Sequence, residues 1–486
     1  MKKQEKQKKK KESDILWNKK KGLRNYETNV ISFLFMALFL AMAFYLVYFT
    51  VYKSDSVVNN SYNKRIDILS GKVVRGCILT SDGIVLAETK TDESGEEYRY
   101  YPLGNMYCHV VGLNLSKSGV EGQENYELLS TNGNIIEELT NELKGKKSAG
   151  NDVVLTIDSK LQKAAYDALG NNKGAVVAME PSTGKILAMV SKPDYDPNYA
   201  DEYYNSWLEY ESSDSVLLNR AVNGLYAPGS TFKVMTALEY IRDYEGYEDF
   251  VYDCSGSAYV SGGTTIPCSD EKVHGEEDLS DAFANSCNSF FSTIGFELKL
   301  GKFRQLCETF YFNRNLNIGM DASVSSFQLD ENSGISEIQE TCIGQGKTMI
   351  SPIHNLMIIS SIANGGVMMN PYVVMQVQTA SGKVLSVNMP TQKAQVCSEE
   401  EAEYIGSLCR KVVTDGTGGA FRWTGYEAAG KTGTAQYDSS GLAHSWFIGY
   451  APYDNPEIAI SVVLEGGYSG QSAQYVAKAV LDAYFN

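Results

Sequence analysis

Residues 30–52 (VISFLFMALFLAMAFYLVYFTVY) run for 23 positions without a charge. A helix of that length crosses a hydrocarbon core of roughly 30 Å with some tilt. The run continues well past the Ala41-Met42-Ala43 triplet, which is too long for a signal-peptide core, so an uncleaved signal anchor is expected. After it, apolar runs at 73–80 and 84–89 bracket Ser81-Asp82-Gly83, a hairpin signal, and 140–151 (TNELKGKKSAGN) reads as a linker. The pattern next predicts a strand at 153–157 and a helix at 159–169 carrying Leu161, Ala164, Ala165 and Ala168. A hairpin of 175–180 with 185–191 follows, around Pro181-Ser182-Thr183-Gly184. A helix over 230–242 comes after the turn Ala227-Pro228-Gly229. In 279–296 (LSDAFANSCNSFFSTIGF), Phe283, Ser286, Cys287, Phe290, Phe291 and Ile294 recur at helical spacing. Strands at 428–437, 445–450 and 457–464 and a helix at 471–485 close the chain, the last with Ala473, Val476, Ala477, Val480, Leu481 and Tyr484 on one face. Strands at both ends around a helical middle predict one α/β domain whose sheet is built from both ends.

Charge sharpens this picture. The whole chain is −16, yet residues 1–29 hold eleven Lys and Arg against four acids, a net +7 that leaves −23 for the rest. A basic flank before an apolar span keeps the N-terminus cytoplasmic and puts the remainder outside. The acidic body argues against nucleic acid, whose phosphates need a basic footprint. Nine cysteines include Cys254 and Cys268, which flank a Gly/Ser-rich stretch and read equally as a disulfide or as two free thiols. Cys287 reads as a small buried helix residue. The four histidines (His109, His274, His354, His444) form no i, i+4 pair and there is no Cys-x-x-Cys, so no metal site and no cofactor are expected. The acidic, Tyr-rich stretch 195–211 reads as a solvated loop.

Three short motifs carry chemistry. Ser-x-x-Lys occurs at Ser230–Lys233 and at Ser182–Lys185; Ser-x-Asn at Ser286–Asn288 and at Ser61, Ser130 and Ser386; Lys-Thr-Gly at Lys431-Thr432-Gly433, with Lys-Ser-Gly at Lys117–Gly119. Placement selects among them. Ser230 opens a helix after a Pro-Gly turn, so Lys233 shares its face and the helix dipole favours developing negative charge there. Ser182 lies in a hairpin turn. Serine is a poor nucleophile until a base takes its proton, and lysine becomes a base only when burial or a nearby cation lowers its pKa. Lys431 is a candidate for that cation, Ser286 for proton relay to a leaving amine, and Asn288 for gripping a substrate backbone. The N–H groups of Ser230 and Thr434 are candidates for an oxyanion hole.

These motifs, in this order, resemble those of penicillin-binding proteins. Tyr226-Ala227-Pro228-Gly229-Ser230-Thr231-Phe232-Lys233 and Lys431-Thr432-Gly433-Thr434-Ala435-Gln436 look like class B penicillin-binding proteins, the monofunctional transpeptidases. Upstream, Arg75-Gly76, Asp82-Gly83 with Leu86-Ala87, Tyr101-Pro102 with Gly104 and His109, and Gly119-Val120-Glu121 resemble that family's N-terminal pedestal. The resemblance implies an α/β (α+β) penicillin-binding/serine β-lactamase-like transpeptidase domain at 151–486. It implies a smaller mixed α+β pedestal at 53–150, one transmembrane helix at 30–52 and a cytoplasmic tail at 1–29. It also implies peptidoglycan stem peptides ending in D-Ala-D-Ala as substrate, a Ser230 acyl-enzyme, β-lactams as acylating ligands, and Thr432 and Thr434 at the substrate carboxylate. Nothing resembles a glycosyltransferase domain, so a polytopic membrane glycosyltransferase is the implied partner.

A β-lactamase of class A needs a Glu-x-x-Leu-Asn-type loop. The nearest segment, Asn313-Arg314-Asn315-Leu316-Asn317, has an amide where a base is required. A D,D-carboxypeptidase, with water as acceptor, and a non-catalytic scaffold or sensor are the standing alternatives. The complete set Ser230, Lys233, Ser286, Asn288 and Lys431 argues against a scaffold.

Overall fold

The computed structural model describes residues 2–50, 69–133, 139–141, 143–209, 214–436, 442–466 and 472–486. Ser61, the final two positions of the apolar run, Tyr210, Glu211, Tyr437 and Gln471 lie outside the described residues. The chain divides into two units, Met1–Lys64 and Arg65–Asn486. In the first, a single helix Lys2–Tyr48 carries both the basic tail and the apolar run; its most apolar window has a mean hydropathy of 2.6, long and apolar enough to cross a membrane.

The second unit is organised by a five-stranded sheet in the order Ala429–Gln436, Ala443–Ala451, Ile458–Leu464, Gly174–Met179, Ile186–Lys192. Its neighbours are antiparallel throughout. Strands from residues 174–192 and 429–464 thus meet in one sheet, as the strand pattern predicts. Alternation along each strand divides the core: Val176, Ala178, Ile460 and Val462 pack with Leu161, Ala165, Val476, Ala477 and Val480 of the helices Ser159–Leu169 and Ala473–Phe485. Ala175, Val177, Ile448 and Val463 face the opposite core, with Ile353, Leu356 and Ile359 of Pro352–Ala363. Successive strand residues point to opposite faces, so a sheet covered on both sides reads as the near-continuous apolar runs seen here. Ala429–Gln436 is left as an edge strand beside the helical middle.

A second, six-stranded sheet joins Val384–Val387, Val374–Gln378, Asp152–Leu155, Ile78–Leu79, Val85–Thr91 and Glu97–Tyr100. The expected hairpin is there, with Ile78 opposite Ala87 and Gly83 at φ +84°. The pedestal-like motifs converge: Glu121, fully buried, accepts from Arg75 Nε and Arg99 Nε at 2.7 Å each.

One expected helix is broken. Residues 279–294 form two short helices, Leu279–Ala284 and Asn288–Ile294, separated by a turn in which Ser286 has φ +58°. The helical spacing of the phenylalanines survives because Phe283, Phe290 and Phe291 still face one core. Cys287 N donates to Ala282 O, and Cys287 Sγ caps the second helix by accepting from Phe290 N.

Candidate active site

Every residue from Pro228 to Tyr240 is buried except Ser230. Gly229–Phe232 is a 3-10 turn leading into the helix Lys233–Asp243. Phe232 anchors the turn among Phe303, Phe312 and Phe327. Trp446 Nε1 donates to Ala227 O at 3.0 Å, and Gly229 N to Gly344 O at 2.8 Å. Gly229 adopts φ +53°, and a Cβ there would lie 2.4 Å from Thr434 O. A Cβ on Gly433 would lie 2.9 Å from Thr231 Cγ2. These two glycines let the nucleophile turn press directly onto the edge strand, a close approach of backbone that side chains would block.

Thr434 O points from the sheet edge towards this turn. In an antiparallel strand a residue's N–H and C=O point to the same side, so the Thr434 N–H also faces outwards. Gln345 occupies the next position, its amide turned so that its oxygen accepts from Gln436 N (3.2 Å) and its nitrogen donates to Gln436 O (3.3 Å). The edge, Ser230, Ser286, Asn288, Thr432, Gly433 and Thr434 line a cleft of about 400 Å³. A depression of about 690 Å³ continues it, sharing Asn288, Gln345 and Thr434.

Behind the cleft sit two fully buried lysines. Lys233 Nζ donates to Ser286 O (2.7 Å), Asn288 Oδ1 (2.8 Å) and Ser286 Oγ (3.3 Å). Lys431 Nζ donates to Ser286 Oγ (2.9 Å) and Thr432 O (3.0 Å). Burial pushes the Lys233 amine down to about 7. Burial, then the charge of Lys233, pushes Lys431 well below the usual lysine range. Loss of water penalises an ammonium, and two ammoniums sharing one hydroxyl penalise each other. Among the described residues, Lys233 makes no hydrogen bond to Ser230; its amine is turned to Ser286 and Asn288. Asn288 is held from the other side, its Nδ2 donating to Pro267 O at 2.9 Å. Thr432 Oγ1 lies 2.6 Å from Thr417 Oγ1, a cleft residue the sequence reading did not single out. Thr417, Gln345 and Trp446 carry no motif of their own, so only the fold reveals them.

The duplicate motifs fall elsewhere. Ser182 lies in the turn between Gly174–Met179 and Ile186–Lys192, where Lys185 pairs with Glu180 at 3.3 Å. Ser130 donates to Tyr126 O, Ser386 sits on the exposed strand Val384–Val387, and Lys117–Gly119 leads into the helix Gly119–Gln123. Asn313 is tied to the Phe327 main chain, and none of residues 313–317 lines the cleft. His109 is a structural residue, its Nε2 2.8 Å from Val216 O. Cys254 and Cys268 are free thiols. Cys287 is buried as expected, but it meets Cys268 rather than sitting alone in a helix.

The family model described as the penicillin binding protein transpeptidase domain matches residues 174–484. A penicillin binding protein A dimerisation domain matches 75–153. Among curated relatives, the peptidoglycan D,D-transpeptidase PbpA of Mycobacterium tuberculosis is 29% identical over 494 residues, covering 93% of this chain and 97% of that protein. Stage V sporulation protein D of Bacillus subtilis is 30% identical over 403 residues, 76% of this chain and 60% of its own. Among solved structures, the D,D-transpeptidase domain of a peptidoglycan glycosyltransferase from Eggerthella lenta has a TM-score of 0.76 at 32% identity, covering 85% of this chain and 98% of its own. The imipenem acyl-enzyme of penicillin-binding protein A from M. tuberculosis has a TM-score of 0.78 at 27% identity, covering 87% and 100%.

Proposed function

Because this chain belongs to the penicillin-binding protein transpeptidase family and is a peptidoglycan D,D-transpeptidase, we propose that it cross-links stem peptides through an acyl-enzyme on Ser230. The observation that carries this reading is the pair of buried amines, Lys233 and Lys431, joined through Ser286 Oγ beside the one accessible residue of the nucleophile turn. Lys233, poised near 7, takes the Ser230 proton as the hydroxyl attacks the penultimate carbonyl; apo hydrogen bonds of catalytic groups commonly tighten only with substrate in place. The oxyanion rests on the N–H groups of Ser230 and Thr434. The proton passes through Ser286 to the departing D-Ala amine, while Lys431 donates to that hydroxyl and holds it in place. A neighbouring stem amine then attacks the ester by the reverse route. Asn288 and the free edge of Ala429–Gln436 hold the peptide backbone as an added strand, and Thr432 and Thr434 receive its carboxylate.

In this proposal residues 1–29 are cytoplasmic, because a Lys-rich flank precedes the apolar run, and the catalytic unit is extracytoplasmic. The pedestal is residues 53–150 and the transpeptidase domain 151–486. The matched domains are transpeptidase and dimerisation modules, and glycan polymerisation falls to a polytopic membrane glycosyltransferase partner. The acceptor is tested by incubating the detergent-solubilised chain with a stem peptide ending in D-Ala-D-Ala, with and without an added amine donor peptide. Cross-linked product in the presence of the amine is expected; D-Ala release to water alone, unchanged by the amine, would support the carboxypeptidase alternative instead.

A further inference from the structure

Cys254, Cys268, His274 and Cys287 bring three thiols and one imidazole within 4.8 Å of one another, behind the turn that carries Ser286 and Asn288. Two short antiparallel pairings build the cluster. Gly275 lies opposite Cys254, which places His274 beside that thiol. Ser257–Ala258 pairs with Ile266–Pro267, and Cys268 N donates to Gly256 O, which folds Cys268 back onto Cys254. Cys287 closes the set from the start of Asn288–Ile294.

The spacing is that of a coordination shell. Cys254 Sγ to Cys268 Sγ is 3.7 Å, Cys268 Sγ to Cys287 Sγ is 3.7 Å, and Cys254 Sγ to His274 Nδ1 is 3.4 Å. A tetrahedral zinc ion with Zn–S of about 2.3 Å and Zn–N of about 2.0–2.1 Å has S···S edges of about 3.8 Å and S···N edges of about 3.6 Å. The three thiols are buried, and all four ligands come from loops and a strand end. A separate observation points the same way: Glu277 is 2% exposed, its Oε2 has no hydrogen-bond partner, and that oxygen lies 3.7 Å from His274 Nδ1. A buried carboxylate oxygen without a partner is costly unless positive charge is supplied nearby.

We infer that Cys254, Cys268, His274 and Cys287 bind one zinc ion in a closed, structural Cys3His site that braces the Ser286–Asn288 turn. Each cysteine releases its thiol proton to solvent as its sulfur ligates, and His274 ligates neutral through Nδ1, leaving a complex of net charge −1 with no change in oxidation state. Four protein ligands leave no open position, so the ion supplies rigidity rather than a reactive water. Its leverage on catalysis follows from the chain itself. Cys287 lies between Ser286 and Asn288, and Asn288 Nδ2 is bonded to Pro267 O, the residue before Cys268. Both neighbours of the ligand Cys287 accept hydrogen bonds from Lys233. The three cysteines and the histidine are positioning residues.

The test uses the full chain purified in detergent without chelator from zinc-supplemented cells. Elemental analysis is expected to find about one zinc per chain in the wild type, in Ser230→Ala and in Cys77→Ser, and roughly tenfold less in Cys254→Ser and His274→Ala. Because those variants risk misfolding, the wild type is also titrated with a mercurial thiol reagent, which is expected to release zinc to a colorimetric chelator, and is reloaded with cobalt, which is expected to give the visible absorption of a tetrahedral thiolate complex. Wild type holding no more zinc than Cys254→Ser, or a Cys254–Cys268 disulfide in the wild type by peptide mass, would overturn the proposal. Zinc retained in Ser230→Ala keeps this result separate from the fate of the Ser230 acyl-enzyme.

Discussion

Lys431 Nζ donates to Ser286 Oγ across 2.9 Å, joining two side chains 145 positions apart in the sequence. Lys233 reaches the same oxygen at 3.3 Å. If the hydroxyl links the amines into one proton path, the substitutions Ser286→Ala and Lys431→Met should each slow acylation by a fluorescent penicillin by about 10²–10⁴-fold. The double variant should be scarcely slower than the worse single one, because residues acting as a unit are not additive. Stopped-flow labelling of the three variants measures this; losses that multiply would show two independent roles.

Acylation should rise with pH through about 7. Burial holds Lys233 near that value, and only the neutral amine accepts the Ser230 proton, so the rate is low below it and levels off above it. The apparent pKa of the acylation rate constant, measured with a penicillin whose own ionisation lies outside the range, checks the assignment. A profile flat between pH 5.5 and 8.5, roughly a unit and a half to either side, would remove Lys233 as the base.

Gly433→Ala should impair acylation more than stability. The added Cβ meets Thr231 Cγ2 at 2.9 Å, and relieving that overlap moves the nucleophile turn off the edge strand. Overpacking of this kind costs about 1–3 kcal/mol, whereas a displaced turn misaligns both oxyanion donors, each worth about 10²–10³ in rate. Thermal unfolding and penicillin labelling of the same sample separate the two effects.

Glu121→Gln should destabilise the chain by about 3–5 kcal/mol, since it leaves Arg75 and Arg99 buried against a neutral amide. Burial raises the Glu121 pKa, but the Arg99 and Arg75 charges outweigh it and hold the carboxyl below its ordinary value. A carboxyl depressed on folding stabilises above its unfolded pKa of about 4.3 and loses that contribution as pH falls through the folded value. Urea unfolding should therefore show the gap between wild type and Glu121→Gln narrowing below about pH 4.

Much of this arrangement was legible in the residues. Ser230–Lys233 and Lys431–Gly433 stand out because each sits at a turn or strand whose local signals are strong, and the apolar strand runs on either side of the helical middle announce their shared sheet. Other features depend on contacts that no local pattern encodes. The break at Ser286 was hidden because Phe283, Phe290 and Phe291 keep helical spacing across a left-handed residue. The lowering of both lysine amines follows from burial and, for Lys431, from the second amine, neither visible in a motif. Cys254, Cys268, His274 and Cys287 have no recognisable spacing, and only the two small β-pairings bring them together. Strand Val374–Gln378 takes its place from a pairing with Asp152–Leu155 that is remote in sequence.

The most direct test of the account is the mass of the intact chain after treatment with penicillin G, followed by peptide mapping. One penicilloyl adduct per chain on the peptide containing Ser230, absent from Ser230→Ala, is the predicted result. An unmodified wild type, or an adduct that persists in Ser230→Ala, would contradict it.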